Sequence, residues 1–316
     1  VGLPNSHAGS YAVHPRTQLV AGCELDQERL SAFGRHYGIT ALYTDYREML
    51  EKESLDLVSI STTTRIRPEV TIAAAEAGVK GIYTEKPMAF SLEEADAMLA
   101  PCGERNVKLV VGAISVNHPA FGKAREYVER GEIGPLVSMV CTPNEALAQH
   151  NSFLYLVGSE ADWVFGNMEN PAKAAEEFDN EITRKTGFLH FRNGVEGAIL
   201  GLRPSGLSGV TVSGEKGMIS FHWTKGFRLW KEVEGAGLAE LPWPIAQQYS
   251  TPHTYFGVEN MVDCIEDGSE PRVSGKRVLH AMEIEIALRE SYRRGRVKVS
   301  LPLEDRRLRL HYRSFR

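Results

Sequence analysis

LDLVSISTTTRIRPEVTIAAAEAGVKGIYTEKP, residues 55–87, decides the fold. It holds two short apolar runs, 55–61 and 81–84, with a helical stretch, 68–77, between them. Pro68 suits the first turn of that helix and Gly78 ends it. Both runs are nearly continuously apolar rather than alternating, the mark of parallel strands covered on both faces. Strand, helix and parallel strand make one crossover unit. Outward from it the same rhythm continues. Runs at 19–23 and 107–112 read as further strands. Asp26 caps a helix over 27–37 that Gly38 stops, and Asp45 caps 46–52. Ser91 with Glu94 forms a capping box for 92–100, which Pro101 then interrupts or kinks.

After about residue 117 the pattern changes. A helix over 120–130 ends at Gly131. Strand-like runs then follow at 136–142, 186–191, 195–201, 209–213, 218–222 and 227–231, without helices between them. Asn193-Gly194 is a two-residue hairpin signal. A helix over 276–294 carries Val278, Leu279, Met282 and Ile286 at helical spacing, and a last strand is expected over 297–301. The chain therefore reads as α/β. A doubly wound parallel sheet spans 1–117, and an α+β domain with an open, mostly antiparallel sheet spans 118–316.

Composition narrows the function classes. The 316 residues suffice for two domains, and 42% hydrophobic and 24% charged residues are ordinary for a globular chain. A net charge of −5 argues against nucleic acid as the main partner. No run of 18 apolar residues is present, so no membrane span is expected. The four cysteines (Cys23, Cys102, Cys141, Cys264) form no CxxC pair, which predicts free thiols in a cytoplasmic protein and no metal centre.

Ligands of a doubly wound sheet bind beyond the carboxyl ends of its strands. The residues there are Glu24, then Ser61 to Thr64, then Glu85-Lys86-Pro87, then Gly112 to His118. A carboxylate at Glu24 can accept the ribose hydroxyls of NAD and would repel the 2′-phosphate of NADP. Thr62 and Thr63 can line a diphosphate or ribose, or they form an ordinary threonine-rich turn. Lys86 follows a buried strand beside Glu85. It is either a general base for a hydroxyl proton or one half of a structural ion pair.

Glu85-Lys86-Pro87, preceded by Ala-Ala-Ala-Glu-Ala-Gly (73–78) and Gly-Ile-Tyr-Thr (81–84), resembles the Gfo/Idh/MocA family. Ser-Leu-Glu-Glu-Ala (91–95), Val-Lys-Leu-Val-Val-Gly (107–112), His-Pro-Ala (118–120) and Gly-Glu-Ile-Gly (131–134) follow in the same order, with Gly-Glu-Lys-Gly (214–217) and Ser-Gly-Lys-Arg (274–277) further on. The resemblance implies an N-terminal Rossmann domain that binds NAD(P), and a second domain that binds substrate and often forms the oligomer interface. It implies hydride transfer between nicotinamide and a sugar, polyol or cyclitol, and a homodimer or homotetramer. Lys86 takes the place of the family's catalytic lysine, and Glu24 that of its acidic ribose contact. Arg67 stands where a His is usual.

The chain departs from the family in three places. Val1-Gly2-Leu3 runs into Pro4-Asn5-Ser6-His7 with little of the glycine-rich loop, which leaves Gly2 and a helix starting near His7 as the pyrophosphate candidates. Asn144, Ala148 and Asn151 occupy the positions of an Asp, a His and an Asp, so that His150 is the candidate proton shuttle. Ala113 to Asn117 lack the usual basic side chains, leaving Asn117 and His118, with His253 and Tyr255 later in the chain, as candidate substrate contacts. Two rival functions stay open: a redox-neutral, NAD-using glycosidase or lyase, and a non-catalytic ligand-binding relative.

Overall fold

The computed structural model describes residues 4–112, 114–142, 146–169, 184–201, 209–222, 224–245 and 253–310. The first-strand reading at Val1-Gly2-Leu3, and Gly2 with it, lies outside them, as do Asn144 and the side chain of Ala148. The chain divides into two units.

The first unit comprises Val1–Ala89, Glu94–Asn117 and Thr251–Gly275. Its elements are α1 (His7–Val13), β1 (Ala21–Cys23), α2 (Gln27–Tyr37), β2 (Ala41–Tyr43), α3 (Tyr46–Lys52), β3 (Leu57–Ile60), α4 (Arg67–Glu76), β4 (Gly81–Thr84), most of α5 (Leu92–Glu104) and β5 (Lys108–Val111). β1 pairs with β2, and β3-β4-β5 form a second set; every pairing is parallel. The caps stand where the sequence puts them. The Asp26 carboxylate accepts the N–H groups of Glu28 and Arg29 at 3.0 Å, worth about 1 kcal/mol, and Gly38 leaves α2 at φ +69°.

β4 is buried along its whole length, which explains its unbroken apolar run. One of its faces is covered from far along the chain. α8 (His253–Asp267) packs Val258, Met261 and Val262 against Tyr11, Tyr83 and Val110. A side-chain carbon at Gly81 would stand 2.9 Å from Met261 Sδ and Ile265 Cδ1, so the tips of both side chains would have to shift to admit it.

The second unit comprises Phe90–Glu93, His118–Ser250 and Lys276–Arg316. Its helices are α6 (Pro119–Glu129), α7 (Ala146–Val157) and α9 (Gly275–Arg293). Its strands are β6 (Leu136–Thr142), β7 (Ala161–Glu169), β8 (Arg184–Phe191), β9 (Glu196–Leu200), β10 (Gly209–Gly214), β11 (Gly217–His222), β12 (Gly226–Val233), β13 (Gly237–Leu241) and β14 (Val299–Ser300). They form one nine-stranded sheet in the order β13-β12-β11-β10-β6-β9-β8-β7-β14, antiparallel except for β6 against β9. Asn193-Gly194 turns β8 into β9, with Gly194 at φ +86°. α9 packs on the inner face, where the backbone of Leu288 lies against Gly166 of β7.

Four details differ from the sequence reading. α5 runs through Pro101 to Glu104, because a proline deletes only one backbone bond of an otherwise intact helix. Residues 19 and 20 precede the strand they were expected to start, and the last strand keeps only Val299–Ser300. β2, β7, β13, α7 and α8 carry too little periodicity to announce themselves. Among the described residues no helix is long and apolar enough to cross a membrane.

Candidate functional site

The parallel ladders carry on one rung past the strand ends. Glu85 N–H donates to Ile60 O at 3.2 Å, and Gly112 N–H to Thr84 O at 2.7 Å. The loops after β3, β4 and β5 are thereby fixed to the sheet that presents them.

Glu85 is the hub. One carboxylate oxygen lies 3.0 Å from His7 Nε2, and the other accepts the Lys86 backbone N–H at 3.1 Å. The other ring nitrogen of His7 meets the Ser59 hydroxyl, and the ring lies on Tyr83 with centroids 4.3 Å apart. Burial pushes the Glu85 carboxyl up. The His7 hydrogen bond and charge, the Lys86 N–H and the Arg67 charge outweigh it, so the carboxyl sits below its ordinary value and is an anion at neutral pH.

Arg67, only 4% exposed, donates to Thr62 O at 2.6 Å, to the Thr64 hydroxyl at 3.3 Å and to Pro87 O. It ties the loop after β3 to the loop after β4. Burial lowers its pKa to about 10 against the pull of Glu85, which leaves it charged at neutral pH.

Lys86, half-buried, precedes a cis Lys86-Pro87 bond. Behind it stands Gly112 at φ +80°, where a side-chain carbon would lie 3.3 Å from Lys86 Cβ. Asn117, fully buried, donates from Nδ2 to Gly112 O at 3.2 Å and to the Tyr83 hydroxyl at 3.4 Å.

The structure thus brings together His7, Thr62, Arg67, Glu85, Lys86, Pro87, Gly112 and Asn117, with two residues the sequence reading passed over: Ser59 and Tyr83. A serine and a tyrosine inside otherwise apolar strands were the available signal. Glu24 stands exposed after β1, its carboxylate accepting the Asp26 N–H at 3.1 Å. Thr63 is exposed, and its carbonyl accepts the Thr62 hydroxyl at 3.3 Å.

Other candidates are engaged elsewhere. His118, in the second unit, caps α6 by accepting the Ala120 N–H on Nδ1 at 3.0 Å. His150 is fully buried in α7 of that unit, with Nδ1 3.4 Å from Ala281 O and 3.8 Å from Glu285, which pairs with Lys185. Burial holds its pKa down at about 4. In the first unit, His253 opens α8, its pKa lowered by burial, and Tyr255 lies 5.4 Å from the His14 ring.

These residues fit a nicotinamide dinucleotide. The exposed Glu24 carboxylate stands at a strand end beside exposed Leu25 and Asp26, and can accept hydrogen bonds from hydroxyl groups.

Comparison with known proteins agrees with this geometry. Residues 2–113 match the family described as GFO_IDH_MocA, "Oxidoreductase family, NAD-binding Rossmann fold". The chain is 28% identical over 314 residues to D-apiose dehydrogenase from Paraburkholderia graminis, covering 88% of this chain and 82% of that protein. It is 26% identical over 309 residues to scyllo-inositol 2-dehydrogenase (NAD(+)) from Bacillus subtilis, covering 89% and 88%. An NAD binding oxidoreductase from Klebsiella pneumoniae shares the fold, with a TM-score of 0.77 at 18% identity over 94% of each chain.

Proposed function

Because this chain belongs to the Gfo/Idh/MocA oxidoreductases, we propose that it is an NAD-dependent dehydrogenase acting on a hydroxyl-bearing carbon of a sugar, polyol or cyclitol. The observation that carries the reading is the Glu85-Lys86-Pro87 loop, fixed to the sheet and braced by His7 and Arg67 at the strand ends where ligands of such a sheet bind. The names of the full-length relatives, a D-apiose and a scyllo-inositol dehydrogenase, support the substrate class.

The dinucleotide is assigned to Glu24 at the adenosine ribose and to the backbone and hydroxyls of Thr62 and Thr63. His7, Arg67, Glu85 and Pro87 frame the nicotinamide end. NAD, when bound, accepts the hydride. Lys86 takes the proton of the substrate hydroxyl as general base. The braced loop keeps its stem in one place, so little orientational freedom remains to be lost at the reaction. His253 and Tyr255 are the substrate contacts we assign in the first unit. His150 is left out, because no part of its ring reaches solvent. Cofactor binding is assigned to residues 1–117, and substrate binding and self-association to residues 118–316.

Calorimetric titration tests the reading. NAD+ is expected to bind at least tenfold more tightly than NADP+, a gap of about 1.4 kcal/mol. Lys86→Met should leave that affinity within a few-fold and remove NAD+ reduction with D-apiose or scyllo-inositol as probe substrates. Binding of neither nucleotide would sink the proposal in favour of a non-catalytic relative. Glycoside cleavage without net NADH would convert it to redox-neutral chemistry.

A further inference from the structure

We infer that Tyr83 and Asn117 form a buried clamp that sets the position of Lys86 by holding the carbonyl of Gly112, with Gly257 of α8 making room for it. The inference rests on the assignment of Lys86 as the proton-accepting residue. Three neighbours fix the Lys86 backbone. The residue before it, Glu85, is held by His7, and the residue after it, Pro87, by Arg67. The third is Gly112, whose Cα backs the stem of the side chain. A carbon added there would stand 3.3 Å from Lys86 Cβ and 3.5 Å from Cγ. Any tilt of the Gly112 peptide therefore reaches the lysine stem.

That peptide is over-determined. Gly112 lies at φ +80°, which turns its carbonyl out of the β5 ladder. The carbonyl accepts from Asn117 Nδ2 at 3.2 Å, from the Tyr83 hydroxyl at 3.4 Å and from Ile114 N–H at 3.0 Å. The Tyr83 hydroxyl and Asn117 Nδ2 are themselves 3.4 Å apart, and Arg272 secures the turn by donating to Asn117 O at 2.9 Å. α8 presses on the group at Gly257, where a side-chain carbon would stand 2.4 Å from the Tyr83 oxygen and 2.9 Å from Asn117 Nδ2. Burial raises the Tyr83 phenol far above its ordinary value, so it stays protonated and able to donate.

Packing alone does not explain these side chains. Both are fully buried, and Asn117 Oδ1 has no hydrogen-bond partner. Phenylalanine and leucine would fill the same space without desolvating a polar group. The polar atoms are justified by the carbonyl they hold. Asn117 is a positioning residue in this reading, rather than the substrate contact its place after β5 suggests.

The test uses the full chain and needs no substrate. Tyr83→Phe removes one oxygen, and Asn117→Leu keeps the volume. In each, hydrogen exchange of the 85–88 and 110–114 segments should quicken about tenfold, while α8 and the second unit keep their wild-type rates. The double variant should go little further than either single one, since both side chains hold the same carbonyl. In parallel, trace labelling with acetic anhydride should change the reactivity of Lys86 relative to Lys52 and Lys80, two exposed lysines of the same unit. A merely structural role predicts a general loosening of the first unit and an unchanged Lys86 ratio, and either outcome overturns the clamp. Survival of NAD+ reduction in Lys86→Met would instead overturn the parent reading, and is scored separately from exchange and labelling.

Discussion

The ring of His150 is sealed inside the second unit, and its burial gives a stability effect with a definite sign. Burial lowers its pKa from 6.5 to about 4. The unfolded chain therefore takes up a proton below about pH 6.5 that the folded chain refuses until about pH 4. Stability is complete above the upper value, is lost as pH falls through the window, and levels off below it. The shift corresponds to roughly 3 kcal/mol at most. His150→Phe removes the titrating group, so the melting temperature of wild type minus that of the variant should shrink steadily from pH 7 to pH 5. A difference that stays constant across that range would refute a buried neutral histidine. The sequence placed a histidine in a helix near a familiar anchor. It held no sign that Glu285 and Lys185, more than 130 and 30 residues away along the chain, would close over it. The places of Glu24, Glu85 and Lys86 in the fold were legible for the opposite reason: each stands where a strand ends.

Among the elements, α9 approaches the sheet closely. At Gly166 of β7 a side-chain carbon would stand 2.5 Å from Leu288 O and 2.9 Å from Leu288 Cα, which are backbone atoms that cannot swing aside. Gly166→Ala should cost about 2–4 kcal/mol by overpacking and backbone shift. Gly103 of α5 is the control: it is exposed and has nothing within 4 Å of the added carbon. Gly103→Ala should stabilise by about 0.5–1 kcal/mol through helix propensity. Chemical denaturation of both variants checks the pair, and equal effects would remove the packing argument. Helices with caps and strands with unbroken apolar runs were readable at this scale, as α2, α3 and β4 show. β7 was not, because Asp162, Gly166 and Asn167 interrupt its apolar residues, and Gly166 is there for a helix that arrives more than 100 residues later. α8 was silent for a related reason: an amphipathic helix can bury its stripe on any apolar face, and nothing local says that this one is β4.

For the molecule as a whole, the open question left by the fold is the outer face of the nine-stranded sheet. Its inner face holds Met139, Val164, Leu189, Ile199, Val210 and Ile219, all essentially buried. Strand alternation sends their neighbours outward, and several of those are apolar. Phe165 of β7 pairs with Phe188 of β8, Phe188 with Ala198 of β9, and Ala198 with Val140 of β6, so one row crosses four strands. Phe188 is 52% exposed, Leu200 40% and Val140 38%. A half-polar sheet face in water should alternate to polar residues outward, and a continuous apolar row is what an interface needs. The proposed self-association, as a homodimer or homotetramer, is expected to use this face. Phe188→Asp combined with Leu200→Lys should convert the oligomer to a monomer in light scattering. Neither side chain belongs to the buried core, so the circular dichroism spectrum should not change. A mass unchanged by both substitutions, or a wild-type chain that is already monomeric, would leave the row exposed without a partner and overturn the assignment of self-association to the second unit.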